Sequence, residues 1–117
     1  MISYIGERRG DFGGCRVWRI ENEGHRTLLT PRRSQKLFNH SPDGFEWGYA
    51  GSGPAQLALA LVLDALPEGN DDRAVRIHQD FKFRVVGRMA SERWEISQDS
   101  ILATIREIEA ERDARSS

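Results

Sequence analysis

The stretch Asp43 to Leu66, DGFEWGYAGSGPAQLALALVLDAL, constrains this chain more than any other. From Ala55 to Leu66 only Gln56 and Asp64 are polar. A helix of that composition has no polar side to leave in water, so other elements must wrap it on nearly every face. It is expected to form the core. The residues before it read as a short aromatic strand, Phe45 to Tyr49, and a tight turn, Gly51-Ser52-Gly53. Pro54 suits the first helical position, because the amide hydrogen it lacks would have no intrahelical partner there. That places the helix over 54–66, with Ser52 or Gly53 as its N-cap.

With 117 residues the chain can build one hydrophobic core without disulfide or metal staples. The expectation is a single domain over 1–117, with strands and turns dominating 1–49, helices dominating 50–112 and a frayed tail over 113–117. One cysteine, Cys15, excludes an internal disulfide and a cysteine zinc cluster. The N-terminus MISYIGERRG lacks the apolar segment of a signal peptide. The run Leu57 to Leu66 falls short of the roughly 20 residues that a membrane-spanning helix needs. A cytoplasmic protein without membrane contact, and without a cofactor, is therefore expected. The formal net charge of -1 gives no long-range pull toward nucleic acid, so such binding would need a local patch.

Ahead of the core helix, Met1 to Ile5 alternates as a half-buried strand does, and Gly10-Asp-Phe-Gly-Gly14 supplies a turn. In the next strand Cys15 and Val17 share one face and Arg16 and Trp18 the other. Asn22-Glu-Gly24 turns the chain into a short strand around Arg26 to Leu29, completing an antiparallel meander. Pro31 to Asn39 reads as a helical turn or an irregular connection carrying Leu37 and Phe38 inward. His40-Ser-Pro-Asp-Gly44 is turn chemistry.

After the core helix, Asn70 or Asp71 caps a helix from about Asp72 to Arg88. Ala74, Ile77, His78, Phe81, Val85 and Met89 form its stripe, and Phe83 and Val86 either widen it or lie outside. Ser91 to Ile96 is a connection or one more strand, with Trp94 at the core edge. Ser97 caps a last helix whose stripe is Ile101, Leu102, Ile105 and Ile108. Strands first and helices after argue for an α+β domain, with a small antiparallel sheet of three to four strands packed on about three helices.

Candidate chemistry is sparse. The turn before the core helix offers Ser52 and Gly53 as a weak anion site, because free amides at a helix N-terminus point at anions. No Lys-Ser or Lys-Thr pair follows, and Gln56 stands where a dinucleotide fingerprint needs glycine, so a structural turn is preferred. Ala50 and Pro54 likewise depart from a nucleophile elbow around Ser52. His25 is expected to be exposed, His40 to donate to backbone in its turn, and His78 to lie at the boundary of its helix. Three histidines without an i, i+4 pair give no expected metal site, and no catalytic residue is assigned.

Arg8, Arg9, Arg16, Arg19 and Arg26 interleave with Tyr4, Phe12 and Trp18, residue types that contact phosphates and stack on bases. Glu7, Asp11, Glu21 and Glu23 dilute that charge, so a solvated sheet face is preferred. Trp18 beside Arg16 fits a protein-binding hot spot. Arg16, Trp18 and Arg19 are therefore the expected partner-binding residues. Unpaired edge strands also leave a homodimer open.

The block HSPDGFEWGYAGSGPAQLALALVLDAL, followed by IHQDFKFRVV and then W-E-I-S before a helix, resembles a small uncharacterised domain family of phages, plasmids and integrated bacterial elements. The resemblance covers about His40 to Ile101, and its most specific part is F-x-W-G-Y-x-G-S-G-P-x-x-L-A-L-A. It brings no catalytic residues. It implies a protein acting in a bacterial host cell by binding and disabling a defence protein or ribonucleoprotein complex, in the manner of anti-CRISPR proteins. The alternative is a nucleic-acid-binding accessory or regulatory protein of a mobile element.

Overall fold

Successive strand side chains point to opposite faces of a sheet, so the helix-facing residues of neighbouring strands share one side. β1 (Ser3–Arg8), β2 (Cys15–Ile20) and β3 (Arg26–Leu28) form the expected antiparallel meander. Helices α1 (Arg32–Leu37), α2 (Ser52–Ala65) and α3 (Asp71–Arg84) follow, then β4 (Arg93–Ser97) and α4 (Gln98–Ser116). β4 returns to pair antiparallel with β1, giving the sheet order β3-β2-β1-β4. The class is α+β, with four helices among the described residues where about three were expected. The computed structural model describes residues 1–9 and 14–116. The turn read over Gly10 to Gly13, with Asp11 and Phe12, lies outside the described residues.

α2 is the core. Twelve of its 14 residues are buried, Leu57, Leu59, Leu61 and Val62 completely. α3 packs along it through Ala74, Ile77 and Phe81, and α4 through Ile101, Ile105 and Ile108. The helix opens two residues earlier than the proline suggested. Gly51 is the N-cap, and Ala55 N–H donates to Gly51 O at 3.0 Å. Pro54 is thus the third helical residue, still within the first turn, where its missing donor leaves no bond unmade.

The two polar residues of the apolar run are anchors. Gln56 is fully buried, and its amide makes four hydrogen bonds, the full capacity of the group. Oε1 accepts from His40 N–H at 2.7 Å and Ser41 N–H at 3.0 Å. Nε2 donates to Ser34 Oγ at 2.8 Å and Phe38 O at 3.1 Å. Asp64, two turns further on, accepts from Tyr4 and Arg19 of the sheet.

Several expectations are corrected. Phe45 to Tyr49 is not a strand. Gly48 adopts φ +86°, and its N–H donates to Val86 O at 3.0 Å instead of joining a ladder. Trp47 is buried in the core, whereas Tyr49 is exposed. Leu37 and Phe38 do not point inward, because Ser34, bonded to Gln56, occupies the inner side of α1. α3 ends at Arg84 and gives way to a 3-10 turn, Val86–Arg88. Val86 is buried and Phe83 lies outside the stripe. Asn70 is the N-cap residue of α3, but its side chain donates to Pro67 O instead of capping. Ser97 does cap α4, its Oγ accepting from Ser100 N–H at 3.0 Å. α4 runs to Ser116, and Arg112 binds Asp80 of α3 at 2.9 Å. Among the described residues no helix is long and apolar enough to cross a membrane.

Trp94 of β4 lies over Gly6 of β1 and meets Trp47 edge to face, with ring centroids 5.5 Å apart. A Cβ at Gly6 would overlap the Trp94 indole, so that residue is glycine for space, not for backbone freedom. Gly6→Ala is expected to lower stability by about 1–3 kcal/mol, the usual cost of overpacking, and to alter the tryptophan signal in near-UV circular dichroism. An unchanged denaturant midpoint would refute this packing account.

Candidate functional site

Strand alternation sorts the arginines of the sheet into two environments. Tyr4, Gly6 and Arg8 of β1, with Cys15, Val17 and Arg19 of β2, face the helices. Asp64 Oδ2 accepts from Tyr4 OH at 2.6 Å and from Arg19 Nε at 2.9 Å, and Arg19 also pairs with Glu21. Burial, and then the neighbouring Asp64 carboxylate, push the Tyr4 hydroxyl far above its ordinary pKa. Arg8 is held in the same way by Glu46 at 2.9 Å and Ser91 O at 3.0 Å, with its guanidinium 5.0 Å from the Trp47 ring centre. Cys15 is half-buried, and burial together with Glu46 pushes its thiol up to about 11, leaving it protonated and unreactive at neutral pH.

The opposite face of the sheet is different. Register sets Glu95, Ile5, Trp18 and Leu28 side by side across the four strands. Within this row Ile5 is buried, Trp18 is half-buried and Leu28 is 46% exposed. Arg16, Arg26 and Arg93 stand exposed around them beside Glu7 and Glu95. The Arg26 guanidinium lies 5.1 Å from the Trp18 ring centre, and the Trp18 indole N–H has no acceptor among the described residues. Next to this face a cleft of about 390 Å³ is lined by Arg16, Val17, Leu28, Pro31, Phe45 and Asp43. Arg16 and Leu28 line both, while the cleft is also lined by Cys15 and Val17, which face the helices, and by Phe45, which packs against the core.

Of the expected binding residues, Arg16 and Trp18 are therefore brought together and Arg19 is not. The period of two separates Arg19 from its neighbours, a signal legible in the sequence once Val17 is placed inward. Leu28 was missed as a surface element because β3 is too short for its alternation to be read.

The weak anion candidates fare differently from one another. Ser52 is exposed at the first turn of α2, with no side-chain cap bond. Gly53 is buried against Glu46, where a Cβ would come within 2.6 Å of the Glu46 Cβ. The turn is shaped by that packing. His40 does not donate to backbone through its ring: its Nε2 lies 2.8 Å from Nε2 of His78, whose Nδ1 is 2.6 Å from Val75 O. His78 is buried rather than at a boundary, and Phe38 stacks on His40 with centroids 4.1 Å apart. His25 is exposed. Among the described residues no three His, Cys, Asp or Glu side chains are grouped to hold a metal ion.

The model of a protein family described as a family of unknown function (DUF6166) matches residues 4–107. No curated protein and no solved structure shows significant similarity to the chain.

Two outcomes follow from this geometry. Arg16→Glu should leave stability within about 0.5 kcal/mol of the parent, as exposed changes do. Arg19→Glu would set a carboxylate against Asp64 and should lose about 2–4 kcal/mol in chemical denaturation. Equal melts for the two would show that the Asp64 network contributes nothing. The second outcome concerns pH. Burial lowers the pKa of both His40 and His78 below 6.5, assisted by the Lys82 charge and, for His40, by His78. The unfolded chain then binds more protons, so this stabilisation is present above pH 6.5 and fades as pH falls through the folded-state values. The thermal midpoint should drop between about pH 7.5 and 5.5, and less steeply in His78→Phe. A parallel slope in that variant would exclude the histidine pair as the cause.

Proposed function

The chain belongs to DUF6166, a family of unknown function, and from that premise we propose that it is a non-enzymatic binding protein that docks a protein partner through the outer face of its sheet. The observation that carries this reading is the row of Trp18 and Leu28 on the outer face, rimmed by Arg16, Arg26 and Arg93, with the Phe45 cleft adjoining it at Arg16 and Leu28. A large aromatic anchor beside an apolar pocket, within a charged rim, is the anatomy of a protein interface core.

The partner class follows from the phage and plasmid character of the resemblance: a bacterial defence protein or ribonucleoprotein complex, inhibited by occlusion, with anti-CRISPR activity as the specific form. Arg16 and Trp18 act at the interface. Arg19 acts behind it, fixing β2 to α2 through Asp64.

The test is affinity capture by the tagged chain from nuclease-treated lysate of a bacterium carrying CRISPR and other defence systems, with mass spectrometry of the eluate. Stoichiometric recovery of one defence complex is expected, weakened by about 2 kcal/mol or more in Trp18→Ala, the magnitude of a hot-spot truncation. Undiminished capture by Trp18→Ala and Arg16→Glu would sink the placement of the interface. An eluate without defence components would sink the partner class.

A further inference from the structure

A second surface, separate from the sheet, has its own charge pattern. From Gly24 to Pro42 the chain carries no acidic residue, while Arg26, Arg32, Arg33 and Lys36 fall within that span. In a chain of net charge -1 this is a local segregation of charge. α1 buries only Ser34 and turns Arg32, Arg33 and Lys36 to solvent. Arg33 lies 3.4 Å from Asp71, whereas Arg32 and Lys36, four residues apart on a shared side of the helix, have no ion pair among the described residues.

Aromatic rings continue this strip. Phe38 follows α1 directly and is 50% exposed although one side of its ring rests on His40 at an interplanar angle of 14°. His40 meets His78 of α3, and Lys82 stands one helical turn beyond. Lys82 is buried, and its ammonium has no carboxylate partner among the described residues. That ammonium lies 4.2 Å from the ring centre of Phe83, which is 57% exposed. Exposed rings therefore alternate with cations that no acid neutralises among the described residues. Stacking platforms interleaved with phosphate-binding cations are what single-stranded nucleic acid requires, and every base has a face to stack. Paired bases hide those faces, and an acidic peptide would use the cations but not the rings.

We propose that the strip from α1 across Phe38 and His40 to Lys82 and Phe83 binds single-stranded nucleic acid. Bases stack on Phe38 and Phe83, and phosphates rest on Arg32 and Lys36, with the buried Lys82 adding positive charge beneath the rings. This surface is independent of the sheet face and stands whether or not that face binds a protein.

Fluorescence anisotropy of a labelled deoxythymidine oligomer of about 12 nucleotides, titrated with the full chain at several salt concentrations, tests it. Binding at low salt is expected to weaken about 5- to 50-fold in Phe38→Ala, an exposed position whose loss leaves the fold intact by thermal melt. The double variant Arg32→Glu, Lys36→Glu should flatten the slope of log affinity against log salt by about 0.7 for each phosphate no longer neutralised. A duplex of the same length should compete poorly. The proposal is overturned by absence of binding at low salt, or by full-strength binding of Phe38→Ala. Polyglutamate displacing the oligomer from parent and Phe38→Ala alike would reassign the strip to an acidic protein. ATP competing as well as the oligomer would reassign it to a free nucleotide.

Discussion

The structure depends on how an almost wholly apolar helix is held in one orientation. Burial of leucines stabilises α2 without specifying its rotation or depth, because hydrophobic attraction has no direction. Gln56 and Asp64 supply that direction. Each is a polar group whose burial is tolerable only when its partners are in place. Gln56 uses every donor and acceptor on the segment Ser34 to Ser41, and Asp64 gathers Tyr4 and Arg19 from adjacent strands. Rotating the helix by one residue would leave both sets unpaired. The same two residues that interrupt the apolar run in the sequence are thus those that fix its register in space.

The legibility of the fold follows the strength of local patterns. The apolar run, the three-and-four spacing of Ala74, Ile77, His78 and Phe81, and the Ser97 cap are all properties of neighbouring residues, and each marks the observed element. What failed was decided by partners distant in sequence. Phe45 to Tyr49 has strand composition, but Gly48 donates to Val86, so tertiary bonding overrides propensity. Phe38 looked like a core residue until Gln56 claimed the inner side of α1 for Ser34. His40 and His78 lie 38 residues apart, and no spacing rule announces their contact.

The expected binding residues divide for a related reason. Arg16, Trp18 and Arg19 are close in sequence, and closeness suggested one surface. In a strand the side chain two residues on shares a face, while the next does not. Trp18 and Arg16 therefore stay outside and Arg19 crosses to Asp64, a residue 45 positions away. An arginine count along a strand says little about a binding face until the partner of each guanidinium is known. Arg8 makes the same point at the other end of the sheet, bound to Glu46 and stacked on Trp47.

Each candidate surface is backed by one of the two polar residues that interrupt the apolar run of α2. Gln56 accepts from His40 N–H and donates to Phe38 O, so the backbone on both sides of the stacked Phe38 and His40 rings is tied to the core. Asp64 holds Arg19, the residue next to Trp18, and so fixes the strand that displays it. Binding groups mounted on elements locked from behind lose little conformational freedom when a partner arrives, and that saving appears as affinity. The arrangement explains how a half-buried tryptophan can sit on a short strand and an exposed phenylalanine beside a six-residue helix without a large frame beneath them. The frame is a single helix, and the polar side chains within its apolar run are spent on positioning them.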